Sequence, residues 1–236
     1  ATKVAAFGAL LRVFYVAFGS MRWDWRPMMW VIAGLTMIIG SLLAVTQTDM
    51  KRMLAFSSVA HTGFLLLGVV ATSAAGLSSS LFYLIAYAFT SLGTFAIVGL
   101  VRDASGEAIH LSQWAGLGKK SPWMASIFAL FLLALAGIPL TSGFTGKFAI
   151  FTAAVEGGAT PLVIIAVLAS AVAAFFYARV IVLMFFTEPP TDGPAVVIPS
   201  GLTTVAIGIS AAFTLLLGIA PQPVLELIIN AGLFIR

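Results

Sequence analysis

The stretch "LALAGIPLTSGFTGKFAIFTAA", Leu133–Ala154, decides how the rest of the chain is read. It sets one ammonium group, Lys147, inside otherwise uncharged and strongly apolar sequence. Ahead of the lysine come Gly137, Pro139, Gly143 and Gly146, with Thr141, Ser142 and Thr145 among them. Glycine and proline interrupt helices, and inside a bilayer the freed backbone groups need protein, hydroxyl or water partners. A charge at the centre of a membrane helix costs about 2.5–3.5 kcal/mol on the insertion scale. A broken helix that carries a buried lysine is therefore a costly arrangement, and such arrangements usually mark an ion or proton path.

Working outward, composition sets the class. The chain is 61% hydrophobic and 8% charged, against roughly 25% charged in soluble proteins. That predicts an all-α polytopic membrane protein. With no cysteine, disulfides, thiolate metal sites and iron–sulfur clusters are excluded from this chain. The net charge is only +4, and several of the basic residues lie inside apolar segments, so no nucleic-acid partner is expected. The chain starts at Ala1 in an apolar run, which suggests the second part of a longer protein.

A spanning helix needs roughly 20 apolar residues. Eight segments are predicted to cross: 3–18, 28–47, 53–71, 79–101, 122–138, the short Lys147 segment 141–155, 160–186 and 201–219. A polar loop, Arg102 to Ser121, lies between the fourth and fifth, and a weakly amphipathic tail follows Pro223. If all eight cross, the long loop, the 48–52 turn and the tail share one side. Lysine and arginine are more numerous there, which by the positive-inside rule makes it cytoplasmic.

Lys3–Ala9 reads "KVAAFGA" and Lys147–Ala153 reads "KFAIFTA", sharing K-x-A-x-F-x-A. Transporters often contain inverted repeats whose broken helices meet at midplane ion sites. From the first segment to the sixth is an odd number of steps, which would invert the second copy relative to the first.

Each ionisable residue has an ordinary and a functional reading. Lys3 is either a flanking charge or the repeat partner of Lys147. Lys51 is either a positive turn residue or, with Leu54, Ser58 and His61 at i+3, i+7 and i+10, part of one helix face. Lys51, Ser58 and His61 would then form a polar stripe able to hold water. His61 is either satisfied locally by Ser57 at i−4 or a proton relay suited by its ordinary titration range. Tyr83, Tyr87, Thr90, Ser91 and Thr94 recur at helical spacing, as interhelical hydrogen-bonding residues or as a hydrated face beside the lysines. Arg12 and Arg179 lie late in their helices, placed to snorkel. His110, Glu156, Glu188 and Asp192 read as solvated loop charges. No metal-ligand spacing, phosphate loop or nucleophile–base motif is present.

"QTDMKRMLAFSSVAHTGFLLLG", Gln47–Gly68, and "LALAGIPLTSGFTGKFAIF", Leu133–Phe151, closely resemble the antiporter-like membrane subunits of respiratory complex I. Within that group the chain is most similar to the N-type subunit of bacterial proton-translocating NADH:quinone oxidoreductases, in which Lys147 and Phe148 fit. The resemblance covers essentially the whole chain. It implies a fourteen-helix fold of two inverted five-helix repeats, of which this chain matches the last eight helices. The expected division of a single membrane domain, 1–236, follows. Residues 1–19 end the first broken helix, 20–52 carry the next, and 53–187 form most of the second repeat with its break around 137–155. Residues 188–236 are the loop, last helix and tail.

The resemblance also implies roles. Lys3 matches the lysine of the first broken helix, normally paired with a glutamate outside this chain, and Lys51 the lysine that holds a central proton. His61 matches a bridging residue, and Lys147 the lysine of the second broken helix. It implies no cofactor in this chain; NADH, FMN, iron–sulfur clusters and quinone belong to other subunits. Expected partners are neighbouring membrane-arm subunits, the lipid bilayer and protons, in the bacterial plasma membrane. The family's topology puts the long loop on the side opposite to the charge count. Two rivals stand beside this expectation: a Mrp-type cation/proton antiporter subunit, and a structural membrane-arm subunit without its own channel.

Overall fold

The structure is a computed structural model and describes residues 2–103, 106–189 and 195–232; Asp192 lies outside them. It is a helical bundle. Helix α1 spans Thr2–Arg12 and runs into a π-helical turn at Val13–Ala17 and a 3-10 turn at Gly19–Met21. The main helices follow as α2 (Arg22–Val45), α3 (Met50–Ala71) and α4 (Ala74–Val98). Short strands β1 (Val101–Asp103) and β2 (Gly106–Glu107) and helix α5 (Leu117–Lys120) make up the loop region. Then come α6 (Pro122–Ala136), α7 (Ser142–Glu156), α8 (Thr160–Phe186), β3 (Ala195–Val196), α9 (Gly201–Ile219) and α10 (Gln222–Gly232). Helices α2, α3, α4, α8 and α9 are long and apolar enough to cross a membrane.

Local chemistry sets the helix ends. Asp49 caps α3 by accepting from the Arg52 N–H at 2.9 Å, and Ser73 caps α4 by accepting from Gly76; each satisfies an otherwise orphaned donor. Pro122 opens α6, where its missing N–H costs nothing. Gly137 ends α6 in the left-handed region at φ 88°, the usual glycine stop.

All eight predicted segments are helical, but the fifth and sixth do not each cross. At 15 residues apiece they are about 22 Å long, short of the roughly 30 Å hydrocarbon core. The chain entering α6 packs where α8 finishes: Gly116 N–H donates to Leu183 O, and Gly118 faces Phe185. Helix α7 finishes where α8 begins, with Gly157 against the end of α3 at Ala71. Together α6 and α7 therefore make one broken pass.

This changes the expected symmetry. Tyr15, just after α1, donates to Gly68 O at 2.7 Å and Ser73 O at 3.2 Å, while Lys3 sits beside Ser58. So α1 runs parallel to α3, toward the same end as α7. The two lysine helices share a direction, and the inverted relation predicted from an odd number of passes is not what the structure shows. The tail shifts for the same reason. Ile228 of α10 packs with Phe82 and Ala86 in the first half of α4, away from the long loop.

That loop is a small cap on the opposite end. Strand β1 pairs antiparallel with β2 and β3, and buried Trp114 stacks on Phe128 while donating to Ala108 O at 3.0 Å.

Candidate functional site

The site begins with the break between α6 and α7. In a continuing helix the Leu135 carbonyl would accept the N–H of residue 139, but that residue is proline and has none. Lys147, one turn into α7, supplies the missing donors. Its Nζ donates to Leu135 O, Ala136 O and Ser170 Oγ, each at 2.9 Å. All three ammonium hydrogens are thereby used, and the charge sits at the negative end of the α6 dipole. Lys147 is 4% exposed and lies 5.1 Å from the Phe64 ring centroid. Among the described residues no carboxylate pairs with it; the two ion pairs, Lys51–Glu107 and Lys119–Glu188, are both exposed.

On α3, fully buried His61 is held at both nitrogens. Nδ1 shares a 2.5 Å hydrogen bond with the Tyr83 hydroxyl of α4, and Nε2 a 3.3 Å contact with the Tyr177 hydroxyl of α8. Tyr177 also bonds Ser57 Oγ. The predicted local partner of His61, Ser57, thus serves it through Tyr177. Phe64 stands between this group and Lys147, edge-on to His61 at 5.6 Å.

Lys3 is half-buried on the other flank. It donates to Ser58 O at 2.5 Å and to Ser58 Oγ, and lies 5.4 Å from the Tyr87 centroid. Tyr87 donates to Ser58 Oγ at 2.7 Å, and its ring is 5.0 Å from that of His61. A groove of about 360 Å³ lined by Lys3, Ser58, Tyr87 and Ser91 opens here. Lys3, Ser58, Tyr87, His61, Tyr83 and Tyr177 therefore form one contiguous polar group across four helices, with Lys147 one phenylalanine away.

Lys51 is not part of it. Helix α3 begins at Met50, so Lys51 sits in its first turn, about 15 Å along the axis from His61. It is exposed and ion-paired with Glu107 of β2. The predicted Lys51–Ser58–His61 stripe divides accordingly: Ser58 and His61 join the cluster while Lys51 reaches the loop cap. The Lys51 ammonium, by hydrogen bond and then by charge, holds the Glu107 carboxyl below its ordinary range. Of the hydroxyls on α4, Thr90 donates to its own helix backbone and also meets Thr214 Oγ1 of α9 at 3.3 Å, an interhelical contact of the packing kind; Thr94 bonds its own helix backbone, whereas Tyr83 and Tyr87 join the site. Arg12 and Arg179 are exposed. Glu156 closes α7 instead of standing in a loop.

Tyr177 and Ser170, from a helix read only as an apolar span, were not singled out in the sequence. Pro139 was the available clue to the Lys147 partners, through the carbonyl it orphans.

Comparison with known proteins shows the family. The chain is 63% identical over 236 residues to NADH-quinone oxidoreductase subunit N 3 of Streptomyces griseus, covering 100% of this chain and 43% of that protein. It thus spans less than half the length of the curated relatives it matches. Among solved structures, respiratory complex I from Thermus thermophilus with bound aureothin has a chain of TM-score 0.74 at 27% identity, covering 85% of this chain and 45% of that one. The Mrp complex from Dietzia sp. has one of TM-score 0.83 at 26% identity, covering 97% and 50%. The long apolar helices and the family together make this a multi-pass protein of the bacterial plasma membrane. Residues 1–173 match the family described as NADH:quinone oxidoreductase/Mrp antiporter, TM, and the chain belongs to that family.

Proposed function

We propose that this chain is part of a proton-translocating membrane-arm subunit of a NADH:quinone oxidoreductase, the N-type subunit, and that its contribution is a proton line through the membrane midplane. The observation that carries the reading is Lys147, buried at a helix break and bonded to two orphaned carbonyls, within one side chain of the His61 cluster. A lysine so placed can hold or release a proton as its few partners shift, because burial disfavours the charged form while helix-end carbonyls favour it. Moving one charge against 100 mV requires roughly 2.3 kcal/mol, the equivalent of fewer than two pKa units at about 1.36 kcal/mol each. Changes in burial and partners supply shifts of that size.

In this reading Lys3 receives or delivers protons at the groove, and Ser58 and Tyr87 connect it to His61. Tyr83 and Tyr177 hold the imidazole, and water passing Phe64 completes the link to Lys147. Lys51, at the surface end of α3, has no direct place in the line. The chain itself carries no redox cofactor; NADH oxidation and quinone reduction are the work of partner subunits in the same membrane arm and beyond it. The chain would be one membrane domain of a longer antiporter-like subunit. The names of its relatives favour this over an antiporter of the Mrp type, although the fold suits both.

The test is NADH-driven acidification of inverted membrane vesicles carrying Lys147→Ala, with complex content measured in parallel. Preserved assembly with reduced acidification per electron supports the reading. Wild-type acidification overturns it in favour of a structural subunit. A sodium gradient driving proton movement where NADH drives none would point to the antiporter.

A further inference from the structure

We infer that Arg26 is a positioning residue that fixes the register of α7 against α3, and thereby the placement of Lys147 relative to His61; this rests on the proton-line reading above. Arg26 stands on α2, remote in sequence from both His61 and Lys147, yet it joins the helices that carry them. Its Nε donates to Val70 O at 2.9 Å, and its Nη2 donates to Gly157 O. Val70 is the penultimate residue of α3, and Gly157 is the residue that caps α7. One guanidinium thus bonds terminal carbonyls at two helix C-termini, where both dipoles are negative and a cation is favoured. The planar fork of arginine presents its donors at fixed spacing, whereas an ammonium is a point charge on a flexible stem.

The junction is tight as well as charged. A Cβ on Gly157 would come within 2.8 Å of Ala71 O and 2.9 Å of Ala71 Cα, so the two backbones meet directly under the arginine. The other end of α7 has no helix continuing from it, because residues 137–141 form the break. Helix α7 is therefore a half-length segment, tied at its far end by Arg26 and at its near end by Lys147 itself. A change at Arg26 would be felt as a shift of Lys147 along the α3 face, although Arg26 is in contact with neither Lys147 nor His61. Asp24, the acidic residue in the first turn of α2, forms no ion pair with Arg26 among the described residues, which leaves the guanidinium to the two carbonyls.

The experiment compares Arg26→Gln and Arg26→Lys in the assembled full-length complex with two readouts. The first is distance: spin labels at Ala74→Cys and Glu156→Cys, both exposed, attached with the other reactive thiols of the complex blocked beforehand, report the α3–α4 turn against the end of α7. A narrow distribution in the parent should broaden or shift in Arg26→Gln and partly recover in Arg26→Lys, which keeps the charge but not the fork. The second is proton translocation per electron across pH. Misplacement of a reacting group by about an ångström costs roughly a hundredfold, so Arg26→Gln should lower translocation strongly per assembled complex and alter its pH profile, with partial rescue by lysine. An unchanged distance distribution, or a loss of complex content with a wild-type rate per complex, overturns the inference. If Lys147→Ala leaves translocation intact while Arg26→Gln broadens the distances, the proton-line reading fails and the clamp stands as a structural one.

Discussion

Lys147 and Gly137 meet across the helix break: a Cβ added to Gly137 would lie 3.0 Å from Lys147 Cδ and 3.3 Å from its Nζ. Gly137 also has φ 88°, a conformation in which side chains are strained. Gly137→Ala should therefore cost about 1–3 kcal/mol from the backbone alone and push the lysine stem away from its carbonyls. Thermal unfolding of the detergent-solubilised complex should show the first effect, and proton translocation per electron the second. A wild-type melting profile would show that the turn relaxes freely.

Pro139→Ala tests the origin of the Lys147 acceptors. Pro139 is exposed, so little packing is lost, but residue 139 gains an N–H able to compete for Leu135 O. Translocation should fall while assembly is preserved if that N–H takes up Leu135 O, because Lys147 would then lose one of its two carbonyl acceptors. If translocation is unaffected, the orphaned carbonyl is not what holds the ammonium.

The two tyrosines on His61 should differ. Tyr83→Phe removes the 2.5 Å partner of Nδ1 and Tyr177→Phe the 3.3 Å partner of Nε2. Leaving a buried polar atom unpaired costs about 1–3 kcal/mol. Tyr83→Phe should be the more damaging to translocation, since the shorter bond fixes the imidazole. Tyr177→Phe should show more in stability, because it also strands Ser57 Oγ. Equal, negligible effects on translocation would remove His61 from the line.

The loop cap carries a pH dependence of known sign. Lys51 depresses the Glu107 pKa in the folded state, so the pair contributes stability above the ordinary carboxylate range and loses it as pH falls through the depressed value. Wild type and Glu107→Gln should therefore differ near neutrality and converge in acid, and added salt should shrink the difference because the pair is exposed. The readout is limited proteolysis of the 101–121 region across pH. A difference that grows in acid would reverse the assignment.

Much of this is legible in the sequence. The break at Gly137–Pro139, the burial of Lys147 and the helical segments all follow from hydropathy and from two residues that cannot continue a helix. What the sequence misplaced was the number of crossings. Runs of apolar residues on either side of a break read as two spans, and only their meeting end to end shows that α6 and α7 share one. Of the two readings open for Lys51, the structure favours the positive residue at a helix start over the stripe with Ser58 and His61: helical periodicity fixes which face a residue takes but not the depth at which its helix begins. The companions of His61 were hidden because Tyr83 and Tyr177 are far apart in sequence, and nothing local distinguishes a tyrosine that packs from one that holds an imidazole.

By itself the sequence determined that the chain is a membrane helix bundle, that a helix is interrupted in the glycine- and proline-containing stretch ahead of Lys147, and that the backbone groups freed there need partners. Those are consequences of backbone hydrogen bonding in a medium without water, and they act over a few residues. Tertiary structure alone decided which side chains share a site, which direction the lysine helices run, and that Arg26 ties two helix ends together. These depend on how separate helices pack, a relation set by contacts between residues as far apart as Arg26 and Gly157, which no local pattern encodes.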